Sequence, residues 1–306
     1  CIPNGVTGAI DAGSCGVQRI ESFIEKDILT STCDIYAILH VVSQGQDIRL
    51  KDEIANPNYF NEPKIIKYFQ KYPQYIKGLK IRCHADSTHG FGLQSLRKTI
   101  EIANLIENKG LRCPVTMHLG KLEKDISLEM LLNELRPSDV VAHVFQSSGE
   151  TIIEDNGKVR DCVKKARERG VLFDFAHGRI NFTFSTMRLA IKDGFYPDLL
   201  GSDIHAENSY IKPAFSLMNT MTIMSEFGMP IYNIIRALTE TPTKTYHLIG
   251  RTGLKIGSKA NLSILQKTNK VGSIVDKMKD ELITNAAFDT LLTMIDGKVV
   301  YQKNSL

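Results

Sequence analysis

The chain has 306 residues, 42% of them hydrophobic and 24% charged, with a formal net charge of +4 at pH 7. That length allows one large α/β core of about 250 residues with a small domain appended. The mild, interleaved charge leaves no nucleic-acid footprint, and no apolar stretch reaches the roughly 18 residues that span a bilayer.

In chain order, the run GVTGAIDAG over residues 5–13 predicts a strand, and QRIESFIEKDIL predicts the helix after it. CDIYAILHVVSQG reads as a second strand, followed by a helix around EPKIIKYFQKY. IKGLKIRC is a third strand ending near Cys83, and LQSLRKTIEIANLIENKG is a long helix closing on Gly110. PVTMHLG, DVVAHVF, VLFDFAHG and LLGSDIH continue as strands. The helices between them are LEMLLNELR, KVRDCVKKARERG and FSTMRLAIKDG, and two more helices end near Leu248.

This gives seven strand–helix units in strict alternation. Such alternation implies parallel strands with crossover helices, and continuous apolar runs imply strands buried on both faces. An open doubly wound sheet and a barrel lacking one strand both fit seven units. The absence of a GxGxxG turn after the first strand argues against the open sheet. After Gly250 the texture changes to short β segments, with a turn at Asp296 and Gly297. We therefore divide the chain into a β/α barrel over residues 1–250 and strands of a small β domain over 251–306.

The six cysteines, Cys1, Cys15, Cys33, Cys83, Cys113 and Cys162, form no CxxC pair. They read as free thiols in a reducing compartment, and with no visible signal peptide the cytoplasm is the expected location. The chain starts on Cys1 rather than Met, so the natural start is expected upstream.

Ligand-type residues stand at the C-terminal ends of successive predicted strands. Lys80 lies in GLKIR, His118 closes VTMHLG, and His143 lies in VVAHVF. His177 closes FDFAHG, and Asp203 with His205 closes GSDIH. In a β/α barrel these ends converge on one mouth, where the active site lies. Imidazole and carboxylate suit a divalent ion such as zinc. Such an ion activates water and polarises a carbonyl, and a neighbouring aspartate can move the proton. A lone strand-end histidine is more often a hydrogen-bonded core residue. His40 and His247 take that reading. His84 and His89, in HADSTHG, read as exposed loop histidines, with substrate contact or substitute ligation as the alternatives.

The ordered lysine, histidine, histidine and aspartate at strand ends resemble the amidohydrolase superfamily of metal-dependent hydrolases. GVTGAIDAGSCG, GLKIRC, MHLG, RPSDVVAHVFQ, ARERGVLFDFAHG and GSDIH look like its amidohydrolase/deacetylase branch, members of which are often described as dihydroorotase-like. The resemblance runs to the ending GLKIGSKANLSIL…IDGKVV. It implies a (β/α)8 TIM-type barrel with a small β-sandwich domain formed partly by the C-terminus. It further implies one or two zinc ions, with Lys80 carboxylated and bridging. His118 and His143 would hold the second metal. Asp203 would bind the first and shuttle the proton. His177 and His205 would face substrate, and Arg82 and Arg179 are candidates to bind a substrate acid group. The family's first strand carries His-x-His, and this chain has none. The barrel's first strand is thus expected to be missing, by truncation or by true loss of that metal site.

The expected activity is hydrolysis of an amide or ester bond of a small acylated polar compound by metal-activated hydroxide, as in a deacetylase. The alternatives are a cyclic amidohydrolase of dihydroorotase type, or a non-catalytic metabolite-binding barrel if the His-x-His strand is truly absent. The expected partner is a small-molecule substrate, with no nucleic acid and no membrane, and the sequence allows a homo-oligomer.

Overall fold

A computed structural model describes residues 1–46, 54–178, 180–205, 216–248 and 253–304. Six strands form one parallel sheet: β1 (Gly8–Asp11), β2 (Asp34–His40), β3 (Ile76–Cys83), β4 (Val115–Leu119), β5 (Val140–Ala142) and β6 (Leu172–Asp174). They lie side by side in chain order, each pair parallel, in a sheet curled into a partial barrel.

Alternation along each strand separates two cores. Leu39, Leu79, Ile81, Val115, Met117, Val141 and Phe173 belong to the larger one, packed against the surrounding helices. Their neighbours in sequence turn the other way. Ile38, Val140, Leu199, Tyr246 and Leu248, with Ile10, Tyr36 and Leu172 against them, fill the concave side. Tyr246 is fixed there by a 3.0 Å hydrogen bond between its hydroxyl and that of Thr116.

The helices start where the sequence supplies caps. Asn61 caps α2 (Glu62–Lys71) through the Lys64 amide, and His84 caps the short α3 (Ala85–Thr88). The long helix α4 (Gly92–Glu107) follows, and Gly110 takes the left-handed conformation just beyond it (φ 79°). Ser127 caps α5 (Leu128–Glu134), and Thr183 caps α7 (Phe184–Lys192), with α6 (Asp161–Glu168) between them. The first helix, α1 (Ile20–Phe23), runs into a π-helical turn over Ile24–Ile28. Beyond α7 come α8 (Leu217–Glu226), α9 (Ile231–Leu238) and α10 (Glu240–Thr245). Among the described residues no helix is long and apolar enough to cross a membrane.

The seventh predicted strand, LLGSDIH, is reduced to a single parallel bridge between Asp174 and Leu199. Side chains take the ladder's place on either side of it. The Asp198 carboxylate accepts from the Phe173 amide at 2.9 Å, and the Asp174 carboxylate accepts from the Gly201 amide at 2.7 Å. The segment still runs along β6, since Phe175 N donates to Leu199 O at 3.0 Å and Gly178 N to Ser202 O at 3.1 Å.

The N-terminal ends of β4 and β5 are tied by an ion pair between buried Asp139 and half-buried Arg136. Asp139, fully buried, accepts from the Val115 amide at 2.7 Å and the Arg136 amide at 2.8 Å. It also accepts from Arg136 Nε at 3.1 Å and Nη2 at 3.0 Å. Arg136 continues to the Cys113 carbonyl, and to Asn104 and Glu107 on the α4 helix. Removing one partner of such a pair strands the other. Asp139→Ala is expected to cost about 3 kcal/mol, read as a lower urea midpoint. A loss below about 1 kcal/mol would contradict this account.

The C-terminal part is antiparallel. Strands β7 (Leu262–Thr268), β10 (Ala287–Ile295) and β11 (Lys298–Gln302) form a sheet in the order β11-β10-β7. Its β10–β11 turn is the predicted one, with Asp296 and Gly297 both at positive φ (51° and 76°). A separate hairpin, β8 (Gly272–Val275) with β9 (Glu281–Thr284), was not expected from its short runs.

Candidate metal centre

Strand register sets two rows on the concave face. His40 on β2 stands opposite Lys80 on β3, and Lys80 opposite Thr116 on β4. One layer nearer the C-terminal ends, Arg82, His118, Ala142 and Asp174 stand level across β3 to β6. His143 is the first residue past β5, at φ 66°. Its ring meets that of His118 edge-on, with centroids 4.1 Å apart and planes at 68°.

His143 is orientated by the backbone. Its Nδ1 lies 2.6 Å from the Ala176 carbonyl oxygen. A carbonyl only accepts, so Nδ1 carries the proton and Nε2 is the available donor atom. Burial pushes the His143 pKa down to about 4, with Asp203 opposing and Lys80 assisting. Burial, then His143, Lys80 and Arg82, hold His118 well below the usual imidazole range. Both rings are therefore neutral at pH 7, the form that binds metal.

Lys80 is 3% exposed, and Gly13 lies against its stem. A Cβ on Gly13 would stand 2.6 Å from Lys80 Cγ, and the residue sits at φ 101°. The turn that presents it is held by Asp11, whose Oδ1 accepts from the amides of Gly13 at 3.2 Å and Ser14 at 2.9 Å. Gly13→Ala is therefore expected to displace the lysine and to lower divalent-metal affinity about tenfold or more. A chelator-competition titration giving wild-type affinity would refute the close fit.

Asp203 also has a left-handed backbone (φ 51°). Its Oδ2 accepts from Asn181 Nδ2 at 3.3 Å, and a Cβ on Gly178 would collide with the carboxylate. Asp174 is a carboxyl that the sequence reading missed. Burial pushes it up to about 6 against the backbone amides of Gly201 and Ala176, with Lys80 and Asp203 both within electrostatic reach.

The remaining expected residues fall into different places. Arg82 is level with His118. His177 is fully buried, with Nε2 2.8 Å from Thr220 Oγ1 on α8 and its ring packed against Phe175 and Phe182. Burial lowers its pKa to about 3. His205 is exposed beyond Asp203. Arg179 lies outside the described residues. His84 is not a fully exposed loop histidine but the half-buried cap of α3, its Nδ1 accepting from the Asp86 amide at 3.2 Å. His89 is exposed at φ 47°, and His247 is exposed at φ 49° rather than buried in a helix. His40 is a buried residue, its Nδ1 accepting from the Val42 amide at 3.1 Å, yet it stands directly beside Lys80. Its position in that row follows from strand register, which the sequence did not display.

Among the described residues no three His, Cys, Asp or Glu donors are grouped closely enough to hold an ion by themselves. The neutral His118–His143 pair, rings in contact, offers two donors of a type that divalent ions take, and Lys80 could complete the set only as a modified, oxygen-bearing side chain.

A model of the amidohydrolase family matches residues 82–300. A deacetylase of Enterococcus faecalis is 25% identical over 299 residues, which are 97% of this chain and 79% of that protein. A deacetylase of Agrobacterium fabrum is 28% identical over 298 residues, 97% of this chain and 71% of the relative. Among solved structures, an adenine deaminase superimposes with a TM-score of 0.91 at 24% identity, covering 99% of this chain and 80% of its own. A dihydroorotase gives 0.88 at 25% identity, covering 99% and 81%.

Proposed function

The chain belongs to the amidohydrolase family, and on that footing we propose that it is a metal-dependent hydrolase that removes an acetyl group from a small polar amide or ester. The observation that carries this reading is the pair of neutral imidazoles, half-buried His118 and buried His143, at the C-terminal mouth of the sheet beside Lys80 and Asp203. The deacetylase names of the relatives support the choice of bond.

In this reading Lys80, His118, His143 and Asp203 hold one or two zinc ions. A bound divalent ion lowers the pKa of water towards neutrality and polarises a carbonyl oxygen. Lys80 is buried on β3, beside these residues. The uncharged amine can add carbon dioxide and lose a proton, becoming an anionic oxygen ligand. Asp203 takes the proton of the attacking water and passes it to the departing amine or alcohol as the carbon–nitrogen or carbon–oxygen bond breaks. Arg82, level with His118, is placed to pair with an acid group on the substrate. His177 has Nε2 engaged by Thr220, so its contact with substrate would fall to Nδ1. His205 and Arg179 complete the substrate side of the proposal, and residues 1–250 and 251–306 remain its two domains. A reducing compartment such as the cytoplasm belongs to the same reading, supported by six free cysteines.

The test is acetate release from a panel of N- and O-acetylated small acids, alcohols and amines by chelator-stripped and zinc-reloaded protein. Zinc-dependent release supports the proposal. Opening of cyclic amides without acetate release would move the assignment to the dihydroorotase type, a reading that the structural likeness to a dihydroorotase also favours. No turnover of either class and no bound metal would leave a metabolite-binding barrel.

A further inference from the structure

Two groups of the proposed site, His143 and Asp203, lie on different segments, and both segments hang on one side chain. Asp174 ends β6, one layer with His118 and Arg82. Its Oδ1 accepts from the Ala176 amide at 3.2 Å and from the Gly201 amide at 2.7 Å. The carbonyl of the same Ala176 receives His143 Nδ1 at 2.6 Å. Gly201 opens the Gly201–Ser202–Asp203 segment. A Cβ there would stand 2.8 Å from Asp174 Oδ2, so a larger residue would push on that carboxylate. The main-chain oxygen of Asp174 adds a third tie, accepting from Val144, the residue after His143, at 3.2 Å.

The three residues governed by these bonds are all in a conformation that side chains resist. His143, Ala176 and Asp203 have φ of 66°, 39° and 51°. Such residues persist only where their surroundings over-determine them. Asp174 supplies that constraint at a single point, between the two segments.

We propose that Asp174 is a positioning residue that sets the ring orientation of His143 through Ala176 and the placement of Asp203 through Gly201. It touches neither substrate nor metal in this role. The inference rests on the reading of the site given above. What it needs from position 174 is an acceptor oxygen, not a negative charge. Asparagine, with Oδ1 in the same place, supplies the acceptor, and alanine does not.

The test uses ¹⁵N-histidine-labelled full-length protein. The His143 tautomer is read from long-range proton–nitrogen correlations at pH 7 on chelator-stripped protein, assigned with His143→Asn. Zinc affinity is read separately by competition with a chromophoric chelator. Wild type is expected to show the Nδ1-protonated form of His143. Asp174→Asn should keep it and bind zinc within about threefold of wild type, whereas Asp174→Ala should give a mixed tautomer and lose about 10- to 100-fold in affinity. Gly201→Ala drives a Cβ into the carboxylate that both arms share, and so should lower kcat with little change in KM and also give a mixed His143 tautomer. If Asp174→Ala does not fold, the Asn and Gly201→Ala variants decide. An Ala variant with wild-type tautomer and affinity overturns the proposal. An Asn variant as impaired as the Ala variant also overturns it, since charge would then be what matters. The expected tautomer pattern without zinc binding in any variant would sink the metal reading and uphold the positioning role.

Discussion

Lys80→Ala is expected to abolish tight binding of divalent metal and to slow turnover by about ten-thousand-fold while the protein stays folded. The size follows from the chemistry the ion supplies: several kcal/mol of charge stabilisation and an acidified water, about four decades in rate. The fold should survive because the substitution removes a buried ionisable group from a row backed by Gly13 and flanked by His40 and Thr116. It leaves a hole, but the backbone pairing of β3 with β2 and β4 does not depend on the side chain. A diagnostic follows from the carboxylation proposed for this residue. The hole has the size of a lysine stem, so a small carboxylic acid such as propionate should enter it, supply the lost oxygen ligand and restore part of the metal binding. Metal content by elemental analysis and acetate release, each with and without added propionate, check this. Full metal occupancy and activity in Lys80→Ala would remove the lysine from the metal centre altogether.

Asp203→Asn should separate binding from turnover. The expected result is a fall in kcat of about a thousand-fold, within the range general acid–base groups contribute, with metal stoichiometry retained. Asparagine is the informative replacement here for a backbone reason. Position 203 lies at φ 51°, and Asn tolerates the left-handed region nearly as well as Asp, whereas alanine would confound lost chemistry with strain. The amide also keeps an oxygen to accept from Asn181. A variant with kcat near wild type would take the proton-transfer role away from Asp203. Joint loss of metal and activity would mark the carboxylate as chiefly a ligand.

Much of this architecture could be read from the residues. Alternating apolar runs and helical stretches announced parallel strands, and the strand-end His118 and His143 do meet ring to ring. What the sequence hid is what depends on register. His40 looked like a core histidine because nothing along the chain says that it stands beside Lys80. Asp174 passed unnoticed inside VLFDFAHG, since its hydrogen bonds go to amides 2 and 27 residues away. Gly13, Gly178 and Gly201 matter through what a Cβ would strike, which only packing reveals. The seventh strand was over-read for a related reason. Its apolar pattern is real, but the Asp198 and Asp174 carboxylates take amides that a full ladder would have paired. The β8–β9 hairpin was missed because each strand has only four residues.

The apolar cluster beneath the site has an electrostatic consequence. Ile10, Tyr36, Ile38, Val140, Leu172, Leu199, Tyr246 and Leu248 pack together below the Lys80 row, and the Tyr246–Thr116 hydrogen bond ties that floor. Hydrocarbon screens charge far less than water does. From this side, then, any charge carried by the row above is felt by its neighbours at close to full strength.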